Sequence, residues 1–166
     1  MKKKRLFIIS IIIIVLLICI ALFICFKTKK VEKSKTYDGT ITSMNFYYAV
    51  ANSVFYKFEI AGPKERRILT FTEQKANGRT SKYRKRLTPK NLKEIKDTIN
   101  SNKIYEWNGF DKGVKGSKTK NNFILEVSYS DSKTLTAYGN KEYPVKFDER
   151  KKALYDCLER IVSSYR

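Results

Sequence analysis

The run FILEVSYSDSKTLTAY, Phe123 to Tyr138, decides how this chain is read. Phe123, Leu125, Val127 and Tyr129 alternate with Ile124, Glu126 and Ser128, and after Ser130 to Lys133 the residues Leu135 and Ala137 alternate with Thr134, Thr136 and Tyr138. A period of two places one set of side chains on each face of an extended strand, so this is a hairpin with one buried face. Strand periodicity here sets the class of the whole domain.

Working outward, the same period recurs at SVFYKFEI, Ser53 to Ile60, with Val54, Tyr56, Phe58 and Ile60 on one face. Gly62 and Pro63 break it, and RILTFTE, Arg67 to Glu73, returns as a partner with Leu69 and Phe71 facing inward. Thr40 to Tyr48 alternates only in part before Ala49 to Asn52 interrupts it, so it does not enter the predicted order. Gln74 to Arg86 carries one aromatic among many cations and reads as a loop or a frayed edge strand. Asp111 to Asn122 is rich in Lys, Gly, Ser and Asn without a period, which marks a surface loop.

Two stretches change to helical spacing. Thr88 is placed to cap, Pro89 suits the first helical position, and Leu92, Ile95 and Ile99 form a stripe that ends by Asn100 to Asn102. Asp148 is placed to cap a last helix whose stripe is Leu154, Cys157, Leu158, Ile161, Val162 and Tyr165. The predicted order is β-β-α-β-β-α, an α+β domain with an antiparallel sheet and helices on one face.

Ahead of this domain, LFIISIIIIVLLICIALFICF, Leu6 to Phe26, has 21 residues without a charge. At helical rise this is roughly 32 Å, enough for a hydrocarbon layer of about 30 Å. The predicted organisation is a basic tail at 1–5, a transmembrane helix at 6–26, a basic linker at 27–36 and the α+β domain at 37–166. No small-residue cleavage site follows the run. Ile18 and Ile24 precede Cys19 and Cys25, where a lipobox would require a small residue, so the segment reads as an uncleaved signal anchor.

The cations Lys2, Lys3, Lys4 and Arg5 are nearly balanced by Lys27, Lys29, Lys30, Lys33 and Lys35. The very short tail favours a single-pass protein with its C-terminal domain outside the cell membrane.

Of 35 Lys and Arg, 31 follow the apolar run against all 16 Asp and Glu, a net +15 on that portion. Such a surface attracts polyanions, although a Lys-rich composition produces the same balance without a partner. The chain has no histidine, which removes the commonest general base and zinc ligand. Cys157 is the one cysteine after the apolar run, so the domain has no internal disulfide, a composition at home on a Gram-positive exterior or in a cytosol.

The glycines lack phosphate-loop spacing, and Glu126, Asp131, Glu142, Asp148 and Glu149 each have a structural explanation as strand, turn or helix-start residues. No enzyme, cofactor or metal is expected. The concentrated cations Arg79, Lys82, Arg84, Lys85 and Arg86, with Lys64, Arg66 and Arg67 before them, are the candidate anion-binding residues. A solvated loop is the simpler account of the same residues.

Trp107-Asn108-Gly109-Phe110, the alternating run ending at Tyr129 with Asp131, and Gly139, Asn140, Tyr143, Pro144 and Phe147 together resemble a pattern of uncharacterised bacterial domains on lipoproteins and membrane-anchored proteins. The resemblance covers Trp107 to Phe147 and departs at Ser132, where the pattern has glycine, and at Asn140, which directly follows Gly139. It implies an envelope address and an α+β fold, and no site residue.

The expected function is a membrane-anchored binding module of the bacterial cell envelope. Its partners would be an anionic envelope polymer, lipid headgroups or a protein. The alternative is a membrane-tethered nucleic-acid-binding protein. For the outside topology, protease added to intact cells with a permeable wall should remove the C-terminal domain; full protection reverses the orientation.

Overall fold

The computed structural model describes residues 36–50, 54–113 and 122–163. The apolar run at 6–26 and the linker to Lys35 lie outside the described residues, as does Tyr165. From Thr36 onward the chain forms one compact unit. Among the described residues no helix is long and apolar enough to cross a membrane.

The unit is α+β. Strands β1 (Ile41–Val50), β2 (Val54–Ala61), β3 (Ile68–Gln74) and β4 (Thr80–Arg86) precede helix α1 (Pro89–Ser101). Strands β5 (Phe110–Lys112), β6 (Phe123–Tyr129) and β7 (Thr134–Gly139) follow it, and helix α2 (Phe147–Ser163) ends the fold. They form one seven-stranded sheet in the order β4-β3-β2-β1-β6-β7-β5, antiparallel except for the β5–β7 pair.

The observed order is therefore β-β-β-β-α-β-β-β-α, which corrects the shorter one expected from periodicity. The partial alternation at Thr40 to Tyr48 is the sheet's central strand, paired with β2 on one side and β6 on the other. It reads poorly because Asn45 and Tyr47 occupy its second face, and a bulge between Ile41 and Ser43 breaks the period. The stretch taken as a loop or frayed edge is the seven-residue strand β4. Asn77-Gly78 supplies its turn, with Gly78 at φ 76° and Asn77 Oδ1 accepting from Arg79 N at 3.0 Å.

Register builds the core. Tyr83, Phe71, Phe58, Phe46, Leu125 and Ala137 are successive cross-strand partners, so they form a single row across the inner face. Phe58 and Phe71 stack at 4.4 Å and 10°, and Tyr155 of α2 meets Phe58 edge-on at 5.5 Å. Leu92, Ile95 and Ile99 of α1 and Leu154, Cys157, Leu158, Ile161 and Val162 of α2 are buried against this same face. Among the described residues, neither α-helix packs on the other face.

The expected caps hold at α1. Thr88 Oγ1 accepts from Asn91 N at 3.2 Å and Asn91 Oδ1 accepts from Thr88 N at 3.1 Å, a reciprocal capping box, with Pro89 at the first position. At α2 the helix begins one residue before Asp148, so Asp148 and Glu149 sit in the first turn, where they favour the helix dipole. Arg150 is buried, donating to Lys103 O at 2.9 Å and to Glu106 Oε2 at 2.7 Å. That hydrogen bond holds the Glu106 carboxyl below its usual range.

The residues of the family-like pattern pack together. Trp107 meets Phe123 at 5.6 Å and Phe147 at 5.5 Å, Tyr143 stacks on Phe147 at 4.4 Å, and Trp107 Nε1 donates to Val145 O at 3.2 Å. Gly139 is required in place, since a Cβ there would lie 2.5 Å from Glu142 O.

Ser132, the departure from that pattern, sits at φ 62° in the β6–β7 turn, a left-handed conformation that favours glycine. Ser132→Gly removes this strain and partly offsets the gain through a more flexible unfolded chain. The expected result is a stabilisation of about 0.5 kcal/mol. Urea unfolding followed by the fluorescence of Trp107, the single tryptophan, measures it; a loss of stability would contradict the turn geometry.

Candidate functional site

The sheet's open face is built by the residues between those of the core. One row across it runs Arg84, Thr70, Glu59, Asn45, Glu126 and Thr136, each opposite the next. The adjacent row runs Lys82, Thr72, Lys57, Tyr47, Ile124 and Tyr138. The open-face cations are densest on β4 at the sheet edge, where no carboxylate accompanies them in these rows, whereas Glu59 and Glu126 stand near the centre with a single lysine, Lys57.

The central carboxylates are occupied with neighbours. Glu59 pairs with Lys57 at 2.9 Å, while Glu126 accepts from Tyr138 Oη at 2.6 Å and from Asn45 Nδ2 at 3.1 Å. Burial first, and then the bond to Glu126, push the Tyr138 phenol up to about 12. Ser43, Asn45, Lys57, Glu59, Glu126 and Ser128 border a wide shallow depression of about 440 Å³. Its two carboxylates outnumber its one ammonium group, which is already paired with Glu59.

The β4 edge is different. Arg66, Ile68, Arg84, Lys85 and Arg86 line a second depression of about 210 Å³. Ile68 is 41% exposed, one of two large exposed hydrophobic side chains among the described residues. Gly62 at φ 109° and a 3-10 turn at Lys64–Arg66 fold the β2–β3 connection back beside the end of β4, and Arg86 Nη2 donates to Glu65 O at 2.9 Å. The chain thereby carries Arg66 to the same rim as Arg84 and Arg86.

Four of the eight sequence-derived cations, Arg66, Arg84, Lys85 and Arg86, thus border one depression. Lys82 stands on the open face one strand repeat from Arg84, whereas Lys85 pairs opposite Leu69 on the helix side. Lys64 is exposed on the 3-10 turn, and Arg79 lies at the far end of β4 in its turn. Arg67 is set apart, being 8% exposed with Nε donating to Thr42 O at 3.2 Å in the bulge of β1. Its role is to satisfy backbone that the bulge frees from the ladder.

Tyr83 is also placed differently from its charged neighbours. It faces the helices and stacks on Phe71 at 6.1 Å and 22°, so β4 puts no ring beside its open-face cations. Sequence reasoning had no means of separating Tyr83 and Lys85 from Lys82, Arg84 and Arg86 without recognising a strand. The Asn77-Gly78 pair was the signal that could have done so.

Cys157 is buried, and burial pushes its thiol up, away from nucleophilic use. Among the described residues no group of three or more His, Cys, Asp or Glu is arranged to hold a metal ion. No protein family, curated protein or solved structure matches the chain.

Structural and surface cations should respond differently to substitution. Arg67→Ala removes a buried side chain and leaves the part-buried Thr42 carbonyl without its donor, and should cost about 1–2 kcal/mol. Arg84→Ser, on the exposed edge, should change stability by less than about 0.5 kcal/mol. Thermal or urea unfolding of the two variants separates them, and equal losses would refute this division.

Proposed function

We propose that the chain is a membrane-anchored binding module whose β4 edge engages an anionic polymer of the cell envelope. The observation that carries this reading is the convergence of Arg66, Arg84 and Arg86 around exposed Ile68, with Lys82 continuing the row. Guanidinium groups suit phosphate and carboxylate oxygens because their donors are fixed in a planar fork. The centre of the open face, with Glu59 and Glu126 against the single Lys57, is less favourable to an anionic polymer than the β4 edge. The favourable path runs along β4.

The anchor at 6–26 and the outside orientation place such a site close to polymers or headgroups that carry phosphate. Near a membrane surface each basic side chain contributes about 1 kcal/mol, and the attraction is screened within a Debye length. Single-stranded nucleic acid is disfavoured by the placement of Tyr83. The open-face rings nearest β4 are Phe55, two strands away and so about 10 Å from its row, and Tyr47, three strands away and so about 14 Å, so no ring stands beside the β4 cations for a base to stack on.

Polyphosphate binding to the full chain in uncharged detergent micelles tests the reading. The affinity should fall steeply with salt, and Lys82→Gln/Arg84→Gln/Arg86→Gln should weaken it about tenfold and lower the log–log salt slope by about 2. A charge-matched control, Lys90→Gln/Lys93→Gln/Lys152→Gln on the helices, should change affinity by less than about twofold. Equal effects from both sets would show that net charge, and not the β4 edge, attracts the polymer.

A further inference from the structure

We propose that the edge of β4, which is terminal among the described residues, accepts an extended acidic polypeptide segment as an additional strand, with a carboxylate at every second residue. This rests on the anionic-ligand reading of β4 and names the partner's chemistry.

The edge is geometrically ready. β4 ends the strand order, and its seven residues pair with β3 in unbroken register from Thr80 to Arg86, with no proline, glycine or bulge within it. On a terminal strand, alternate residues direct their N–H and C=O groups away from the sheet, a row of donors and acceptors that a polypeptide backbone matches. A polyphosphate matches the cations and leaves this row to water. The opposite edge, β5, has three residues.

Side-chain spacing selects the sequence of the incoming strand. Lys82, Arg84 and Arg86 recur on the open face at every second residue, about 6.8 Å apart. Side chains on one face of an added strand repeat at the same distance, so aspartate or glutamate in alternate positions gives each cation its own carboxylate. The intervening side chains fall on the helix side, beside Ser81, Tyr83 and Lys85. There the half-buried ring of Tyr83 stacks on Phe71 at the margin of the core, a surrounding that suits uncharged side chains. The favoured segment is acidic on one face and uncharged on the other.

Charge also excludes the commonest competitor, a second copy of β4. Pairing β4 with itself sets Lys and Arg opposite Lys and Arg, which is unfavourable for directly facing residues. A cationic edge that blocks association between copies is open to an anionic strand.

The probe is a labelled, end-capped nine-residue peptide alternating glutamate with valine, titrated by fluorescence anisotropy into the full chain in uncharged micelles. Two further versions carry the same charge and comparable N-methylation, one on the glutamates and one on the valines. In an added strand one set of amides faces β4 and the other faces solvent, so the two versions should differ by at least about tenfold in affinity. Lys82→Glu/Arg84→Glu/Arg86→Glu, shown to be folded by its circular dichroism, should abolish binding of the unmethylated peptide. Equal affinity of the two methylated versions overturns strand addition, and the anion-binding reading survives that result if polyphosphate still binds. Failure of both peptide and polyphosphate to bind overturns both.

Discussion

The fold depends on one row of stacked rings. Tyr83, Phe71, Phe58 and Phe46 are cross-strand neighbours on four consecutive strands, and the Phe58–Phe71 pair is nearly parallel at 4.4 Å. Each such pair adds about 0.5–1.5 kcal/mol beyond the area it buries. A one-residue slip of any strand would turn its ring to the open face, so the row fixes register as well as stability. It also gives β4 its orientation. With Tyr83 held inward, Lys82, Arg84 and Arg86 must stand on the opposite face, and the basic edge is a consequence of the core.

The two ends of the sheet use aromatic packing differently. Toward β6 and β7, the cluster of Trp107, Phe123, Tyr143 and Phe147 ties the long connections to the start of α2. Arg150 adds a polar link there, joining α2 to the turn after α1 through Lys103 and Glu106. On the β4 side, the connections are short and the strands project to a free edge. The side that ends in the three-residue strand β5 therefore carries the aromatic cluster, and the side that ends in the seven-residue strand β4 carries the cations.

The strands with apolar residues recurring at alternate positions, β2, β3, β6 and β7, are legible from the sequence, as are both helices, because burial on one face imposes a period. The strands β1 and β4 are obscured for opposite reasons. β1 is central, so its open-face residues Asn45 and Tyr47 are partly covered and need not be strongly polar, while its bulge interrupts the count. β4 is at the edge and places only Tyr83 deep against the core, so composition outweighs period. The candidate cations could be found by their density. Their separation into a rim around Ile68, a buried backbone donor at Arg67 and a distant turn at Arg79 depends on long-range register and a bulge two strands away, neither of which a local window contains.

Conflict between charge and pairing gives the edge its meaning. A sheet edge must be protected from indiscriminate pairing, and cations do this between like copies by repulsion. That protection depends on sign, since an anionic strand meets attraction where a second copy meets repulsion. Glu59 and Glu126, set against the single Lys57, make the centre of the open face less attractive to anions than β4. A surface with cations dispersed over all strands would attract polyanions equally well but would impose neither path nor register. Here the arrangement of charge relative to the backbone carries more information than its total, and the free backbone of β4 is the part of the structure with which that arrangement is in register.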